Sequence, residues 1–548
     1  MNICEKIVSR YDKLNSARMN FSCLYQDIAE FFYPTKANIT TKRYPGTQNN
    51  QRIYDSTAVL SASRLASSLQ STLTSDVVQW FDLVTTNEAL NRMENVKRWL
   101  ADSTDRMFVA LQLSNFGSAA NETYQDLTTF GCSLMLEEEA VPVRGGFGGL
   151  VFQTYYQNEY VWDVDESQRV NEVYRSNKMM LTDIVERFGE KNLTTKMQEA
   201  WRNGKYEAEF TIIHAVLPRS DYIIYGPQTR MPWASVYVCL EDKEIVKESG
   251  YRRFPYVAPR FSLSSDESYG RSPAMDAVPD TRTLNRIVEL ELRSMVKAVN
   301  PPLTTDDDGV LGGTIVLKPG GITYVRQGSY LKALESGVRF DVVNLKKMEL
   351  QDAIRKAFFM DQLFLPPQQN TPPTAAEINR RTEQMFGIMG PQASRLVVEL
   401  LRPLVRNTFD IMRNAGAFDE PPVEVLEEFA RTGQPVITVN FKGALARAQK
   451  MNDVIAAERW LAEVVGPAAQ INPESIDMVD TDEFVRMGGE RLGVPLSIVR
   501  DPASVTKIRK QRANVQAAAI KQQQQMQMLE TMGKAGLTQP AEATVGAA

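Results

Sequence analysis

Tyr269-Gly270-Arg271-Ser272-Pro273 opens the stretch, residues 269 to 373, whose reading decides the fold. Its glycine and proline make it a turn. Helical periodicity follows over residues 276–298. Asn300-Pro301-Pro302 stops that helix, because proline restricts the preceding residue and removes a backbone donor. Residues 303–340 hold two Gly-Gly pairs, Gly312-Gly313 and Gly320-Gly321, among short β-branched runs. Residues 342–363 are predicted helical again. Leu365-Pro366-Pro367-Gln368-Gln369-Asn370-Thr371-Pro372-Pro373 then breaks the pattern. Two helices flanking a small β unit, with a stiff polar loop behind them, make a poor enzyme site. They suit a stalk inserted between neighbours in a ring.

Working outward, a chain of 548 residues is longer than one core needs, so several domains are expected. Its 43% hydrophobic content is ordinary for a soluble protein. No stretch reaches the roughly 18 apolar residues of a membrane helix. Residues 1–10 carry charges and no apolar core, which argues against a signal peptide. Cys4, Cys23, Cys132 and Cys239 are scattered, as suits a reducing compartment. A net charge of -5 argues against a protein that clamps DNA over its whole surface.

The N-terminal half reads as α+β. Residues 1–34, 56–73, 91–113 and 117–129 are predicted helical. Ala62, Ala66 and Leu69 form one small-residue face. Residues 132–164 and 208–248 switch to strand patterning, clearest at Phe210-Thr211-Ile212-Ile213 and Val236-Tyr237-Val238. Beyond Pro373, residues 374–414 read as one long helix bent near Gly387 and Gly390-Pro391. Residues 434–441 read as a strand, and 445–465, 481–492 and 502–527 as helices. Residues 534–548 are small, polar and expected to be disordered.

Chemical motifs are sparse. His214 is the single histidine and lies in the strand Ile212-Ile213-His214-Ala215-Val216, so a structural role is expected over proton transfer. With no second histidine and no CxxC, no metal site is expected. There is no GxxxxGK[ST] phosphate loop. Gly145-Gly146-Phe147-Gly148-Gly149 lacks the third glycine and the βαβ context of a dinucleotide site, so it reads as a hairpin turn. Asp306-Asp307-Asp308-Gly309 fails the spacing of a calcium loop and reads as a solvated turn. No cofactor is implied.

Several segments carry a family resemblance. They are Ile53-Tyr54-Asp55-Ser56-Thr57-Ala58, continuing through Arg64-Leu65-Ala66-Ser67-Ser68-Leu69 to Trp80-Phe81-Asp82-Leu83; Tyr269-Gly270-Arg271-Ser272-Pro273-Ala274 running into Leu284-Asn285; Phe441-Lys442-Gly443-Ala444-Leu445-Ala446-Arg447-Ala448-Gln449; and Leu492-Gly493-Val494-Pro495 followed by Ile508-Arg509-Lys510-Gln511-Arg512. In this order and at this length, the chain resembles the portal, or head-to-tail connector, proteins of tailed bacteriophages, most closely the short-tailed podophage type.

The resemblance implies a mainly helical α+β portal fold with wing, stem, clip and crown. It implies wing at 1–275, stem helices at 276–299 and 341–364, clip at 300–340, tunnel loop and kinked wing helix at 365–440, crown at 441–515, and a Gln-rich helix and tail at 516–548. It further implies no enzyme activity and a ring of twelve copies at one capsid vertex of the virion, assembled in the host cytoplasm. Double-stranded DNA would pass through it. A terminase and then a tail adaptor would dock, among scaffolding and capsid proteins, with no membrane. Another virion ring, a tail adaptor or tube, stays open as an alternative. So does a carboxylate-dependent hydrolase, since Asp and Glu total 67.

Three groups are the candidate sites. Arg282, Arg286, Arg293 and Lys297 fall within about 60° on a helix turning about 100° per residue, with Glu289 in the same stripe. Leu284, Ile287, Val288, Leu292, Met295 and Val299 cluster opposite. The stripe reads either as a solvated face carrying Arg286–Glu289 and Glu289–Arg293 pairs, or as a face toward the DNA channel or subunit seam. Gln368, Gln369 and Asn370 occupy the tunnel-loop position, where an uncharged tip would touch DNA without holding phosphate. Asp306, Asp307 and Asp308 would become an acidic ring at the clip.

Overall fold

A computed structural model describes residues 3–41, 46–47, 49–141, 146–219, 231–299, 303–304, 332–333, 340–360, 389–433 and 436–442, and farther on 459–465, 467, 479–480, 482, 484–485, 488 and 505–517. The chain divides into two compact units, Met1–Leu445 and Ala446–Ala548.

The first unit opens with α1 (Ile3–Phe32) and α2 (Thr57–Leu73), then β1 (Phe81–Thr85), α3 (Glu88–Asn91), α4 (Glu94–Leu113) and α5 (Phe116–Phe130). The small-residue face of α2 is observed: Ala58, Ala62, Leu65, Ala66 and Leu69 are buried, and α2 lies against α5. Small side chains let the two backbones approach closely. β2 (Leu134–Glu139) and β3 (Leu150–Tyr155) form the expected hairpin, pairing antiparallel from Leu134↔Tyr155 to Glu139↔Leu150.

Next come β4 (Tyr160–Val164), β5 (Val170–Met180), α6 (Leu181–Phe188), α7 (Thr195–Arg202), β6 (Glu209–Pro218), β7 (Trp233–Cys239), β8 (Glu244–Tyr251) and β9 (Tyr256–Val257). Strands β4 to β8 make one antiparallel meander in sequence order, while β3, β2 and β9 make a second sheet. Period-two alternation divides the meander between two cores. Ile213, Ala215 and Leu217 face the start of α1 through Cys4, Ile7 and Val8. Phe210 and Ile212 pack with Ile184, Phe188 and Met197 of α6 and α7.

The unit continues with α8 (Pro273–Val299), β10 (Leu303–Thr304), β11 (Lys332–Ala333), α9 (Phe340–Ala357), α10 (Gly390–Leu396), α11 (Arg402–Asn414), α12 (Val423–Thr432) and β12 (Ile437–Phe441). Two boundaries differ from the sequence reading. Helix α9 ends at Ala357, with Phe359 at a positive φ of 57°, because Phe358 turns into the core against Phe32, with ring centres 5.7 Å apart. Gly390-Pro391 does not bend a helix interior but sits in the first turn of α10, where proline is tolerated. The irregularity falls instead at a π-helical turn, Val397–Leu401, which carries Glu399. Glu399 meets the buried Arg260 guanidinium at 2.8 Å and accepts from the Arg260 amide at 3.0 Å. Gly387 lies outside the described residues.

His214 is buried. Its ring lies flat on Tyr237 at 4.1 Å between centres, Nε2 shares a hydrogen bond with the Ser235 hydroxyl at 2.9 Å, and Nδ1 shares one with Tyr256 at 3.0 Å. Burial, and then the charges of Arg175 and Arg187, push its pKa well below the ordinary range. That is the structural histidine its strand context predicts.

Candidate functional site

The helix pair α8–α9 contains the predicted stripe, and three local devices fix it to the rest of the unit. The first is the opening turn. Ser272 precedes Pro273 at the helix start, and its Oγ accepts from the Met275 amide at 3.2 Å, as an N-cap does. The same hydroxyl donates to the Thr129 carbonyl at 2.6 Å, tying the start of α8 to the end of α5. Capping by Ser272 starts the helix at Pro273, ahead of the predicted residue 276. Behind it, Tyr269 stacks on Trp162 at 5.2 Å and its hydroxyl accepts from the Trp162 amide at 3.3 Å.

The second device is Asn285. Its Oδ1 accepts from the amides of Tyr54 and Asp55 at 2.8 and 3.2 Å. Asp55 in turn accepts from the Thr57 amide, at the start of α2, and from Gln351 of α9, at 2.8 and 2.7 Å. The segment from Ile53 to Ala58 thus ties α2, α8 and α9 together. The third device is the pair Lys347–Glu291, at 3.1 Å, which joins α9 to α8 at a buried glutamate. Asn285 closes one of the family-like segments, while Glu291 is an anchoring position that the sequence reading does not single out. Their signal is a polar residue at a helix position facing apolar neighbours.

Along α8 the predicted stripe divides. Arg282 pairs with Asp27 of α1. Glu289 bridges Arg286 at 2.7 Å and Arg293 at 2.6 Å, so both predicted pairs are formed. The two arginines stay about two-thirds exposed. The Lys297 side chain lies outside the described residues. The opposite side also divides. Leu284 is buried and Ile287 and Val288 pack against the core, but Leu292 and Met295 are 47% and 44% exposed. Val296 on α8 and Leu345 and Met348 on α9 are exposed as well. The inner end of the helix pair is packed by its own chain, and the outer end leaves large apolar side chains uncovered.

Beyond the helix pair, Gln368, Gln369 and Asn370 lie outside the described residues, as do Asp306, Asp307 and Asp308. Of the segment between α8 and α9, the described part is the antiparallel pair β10–β11, Leu303↔Ala333 and Thr304↔Lys332. Among the described residues no cluster of His, Cys, Asp and Glu is arranged to hold a metal ion, and no helix is long and apolar enough to cross a membrane.

A second junction joins distant family-like segments. β1 pairs with β12 antiparallel, Phe81↔Phe441 to Thr85↔Ile437. Trp80 stacks on Phe441 with planes 3° apart, the Lys442 amide donates to the Trp80 carbonyl at 2.8 Å, and the Lys442 ammonium pairs with Asp82 at 2.6 Å.

The sequence as a whole decides which class of molecule carries this helix pair. The chain belongs to the family of bacteriophage head to tail connecting proteins, which it matches over residues 5–499. It is similar to a chain named "Probable portal protein" from Bordetella phage BPP-1, 29% identical over 545 residues, covering 97% of this chain and 95% of that one. It is also similar to the "Portal protein" of Salmonella phage epsilon15, 25% identical over 528 residues, covering 94% of this chain and 92% of that one. A solved chain from a structure described as "Virion of native gene transfer agent (GTA) particle" aligns over 69% of this chain and 86% of that one at 12% identity. Its TM-score of 0.32 is too low to define a shared fold.

Proposed function

We propose that this chain is a portal protein, about twelve copies of which close into a ring at one capsid vertex. Double-stranded DNA passes through the axis in packaging, is retained, and leaves at ejection. The observation that carries this reading is the relation, over nearly its whole length, to phage connectors and to chains named portal proteins. The helix pair α8–α9 is the stem, and the segment between is the clip, where a terminase and then a tail adaptor dock. Closure of that segment by β10 and β11 supports its reading as a separate local unit. Residues 1–275 and 365–440 make the wing, near scaffolding and capsid proteins. Residues 441–515 make the crown, with 516–548 as its Gln-rich extension. The ring resides in the virion after assembly in the host cytoplasm.

The exposed outer half of the stem supports the ring. Leu292, Met295, Val296, Leu345 and Met348 are too many large apolar side chains to leave in water, at about 25 cal/mol per Å² of area that a neighbouring stem would cover. The basic stripe then faces the channel or the seam, with Glu289 tempering Arg286 and Arg293 so that phosphate contacts stay weak and DNA stays mobile. Gln368, Gln369 and Asn370 form the tunnel-loop tip, and Asp306, Asp307 and Asp308 an acidic clip surface. An averaged end-on electron micrograph of purified particles tests the reading. A ring with an axial opening wide enough for duplex DNA is expected. A ring without one would point to a different virion component.

A further inference from the structure

Away from the stem, α11, α12 and the β1–β12 pair enclose an open cavity of about 450 Å³. That is the size of a binding pocket rather than a packing defect. Its floor is apolar: Leu83 from β1, Ile437 and Val439 from β12, and Phe409 from α11. One wall is the exposed apolar edge of α12, where Leu426 and Phe429 are 47% and 50% exposed. Trp99 of α4 lines another side and donates its indole N–H to the Asp419 carbonyl at 3.0 Å, which leaves its ring as an apolar surface.

The remaining wall is cationic. Arg253, Arg406 and Arg413 line it. Arg253 pairs with Asp410. Arg406 and Arg413 are exposed along this wall, and neither side chain makes a hydrogen bond or ion pair among the described residues, although the Asp410 charge attracts both. Arg253 and Arg402 repel Arg406, and Asp410 offsets them in part. Burial first, then the charges of Arg253 and Arg402, lower the proton affinity of Arg406. A carboxylate entering here would relieve that repulsion and gain charge-assisted hydrogen bonds, while its apolar neighbours fill the floor. Three acids also line the groove: Asp410 is taken by Arg253, Asp419 is paired with Arg106 at 2.7 Å, and Glu420 is the third.

We propose that this groove docks a short acidic, amphipathic segment of another polypeptide, with its carboxylates on Arg406 and Arg413 and its large apolar side chains between Trp99 and Phe429. Charge complementarity and the apolar floor together select this occupant over a nucleic acid, whose phosphates would use the arginines and leave the floor empty. The site stands on its own geometry, apart from the stem and its ring.

Fluorescence polarisation of the full-length protein with a labelled peptide in which Asp and Glu alternate with Leu and Phe tests it. Saturable binding is expected. Arg406→Glu combined with Arg413→Glu, and separately Phe429→Ser or Leu426→Ser, should each weaken it by about tenfold or more. Replacing the peptide's acids by Asn and Gln, or its apolar residues by Ser, should abolish it. All four protein positions are exposed, so melting curves should stay close to wild type. Binding that the arginine variant loses but Phe429→Ser keeps, and that duplex DNA displaces, would mark a phosphate patch and overturn the proposal. Binding by dissociated subunits but not by the assembled protein would assign the groove to a second copy of this chain, also overturning it. So would no saturable binding by the folded protein.

Discussion

Gly131 and Gly270 meet backbone to backbone: a Cβ on Gly270 would stand 2.1 Å from the Gly131 carbonyl oxygen, and one on Gly131 would stand 2.6 Å from that of Gly270. Gly131 also ends α5 at φ 80°. This contact sets the turn that launches α8 directly on the end of α5. No rotamer change relieves a clash with backbone, so Gly270→Ala should cost about 3 kcal/mol or more. A lowered denaturant midpoint, with the loss of protease resistance around residue 269, is the expected outcome. An unchanged midpoint would mean that the turn does not fix the start of α8.

Asn285 should behave as an anchor. Asn285→Ala leaves the Tyr54 and Asp55 amides without their acceptor, at about 1–3 kcal/mol for such partly buried groups. Asn285→Asp keeps the acceptor but sets a carboxylate oxygen against the Thr281 carbonyl that Nδ2 meets at 2.9 Å, so it should restore only part of the loss. Equal damage from both substitutions would show that packing, not the hydrogen bonds, matters at this position.

Much of this was legible in the sequence, and the reasons are particular. The helices appear where apolar periodicity is strong, as in α2 and α4, and the β2–β3 hairpin where glycines interrupt alternating strands. The family-like segments were readable as an order, but their partners were not. Nothing local in Ile53 to Ala58 reveals that Asn285 holds it, or in Trp80 that Phe441 stacks on it, because those contacts span 231 and 361 positions of chain (285 − 54; 441 − 80). Helix α12 has ordinary start and stop signals, Pro421-Pro422 before it and Gly433 after it, but its ten residues are too short for a clear periodic pattern. The arginines of α11 carry no signal of their own in a sequence that reads as one helix over 374–414. On α8 the spacing brings Arg286, Glu289 and Arg293 together, as observed, but it does not divide the opposite face into a packed inner half and an open outer half.

The single histidine makes a pH test clean. His214 is held neutral when folded, with its pKa pushed down by burial, whereas an unfolded histidine titrates near 6.5. Below about 6.5 the unfolded chain takes up a proton that the folded chain refuses, so stability from this site is present above about 6.5 and falls with pH. Asp126 acts oppositely. Burial, offset by Lys36, raises its pKa to about 6 from 3.8, so its contribution is lost as pH rises through that window. The wild-type stability advantage over His214→Gln should therefore shrink as pH falls from about 7 to about 5. Parallel denaturation curves at each pH would check this, and a constant difference would contradict it.

Charge reversal probes the stripe. In Arg286→Glu combined with Arg293→Glu, both Glu289 bridges vanish and three carboxylates crowd one face. The arginines are exposed but the Glu289 side chain is only 16% exposed, so monomer stability should fall by about 1–2 kcal/mol. DNA packaging measured as nuclease-protected genome should fall severalfold. Normal assembly and packaging by this variant would identify the stripe as an ordinary solvated face.

The central claim, a ring that closes through the uncovered outer stem, is tested most directly by native mass spectrometry of the purified full-length chain beside Leu292→Ser combined with Met295→Ser. The wild-type chain should give closed oligomers, predominantly of about twelve copies, and the variant, altered only at exposed positions, should give folded monomers. Only monomers and dimers from the wild-type chain across a broad range of salt and protein concentration would contradict the account.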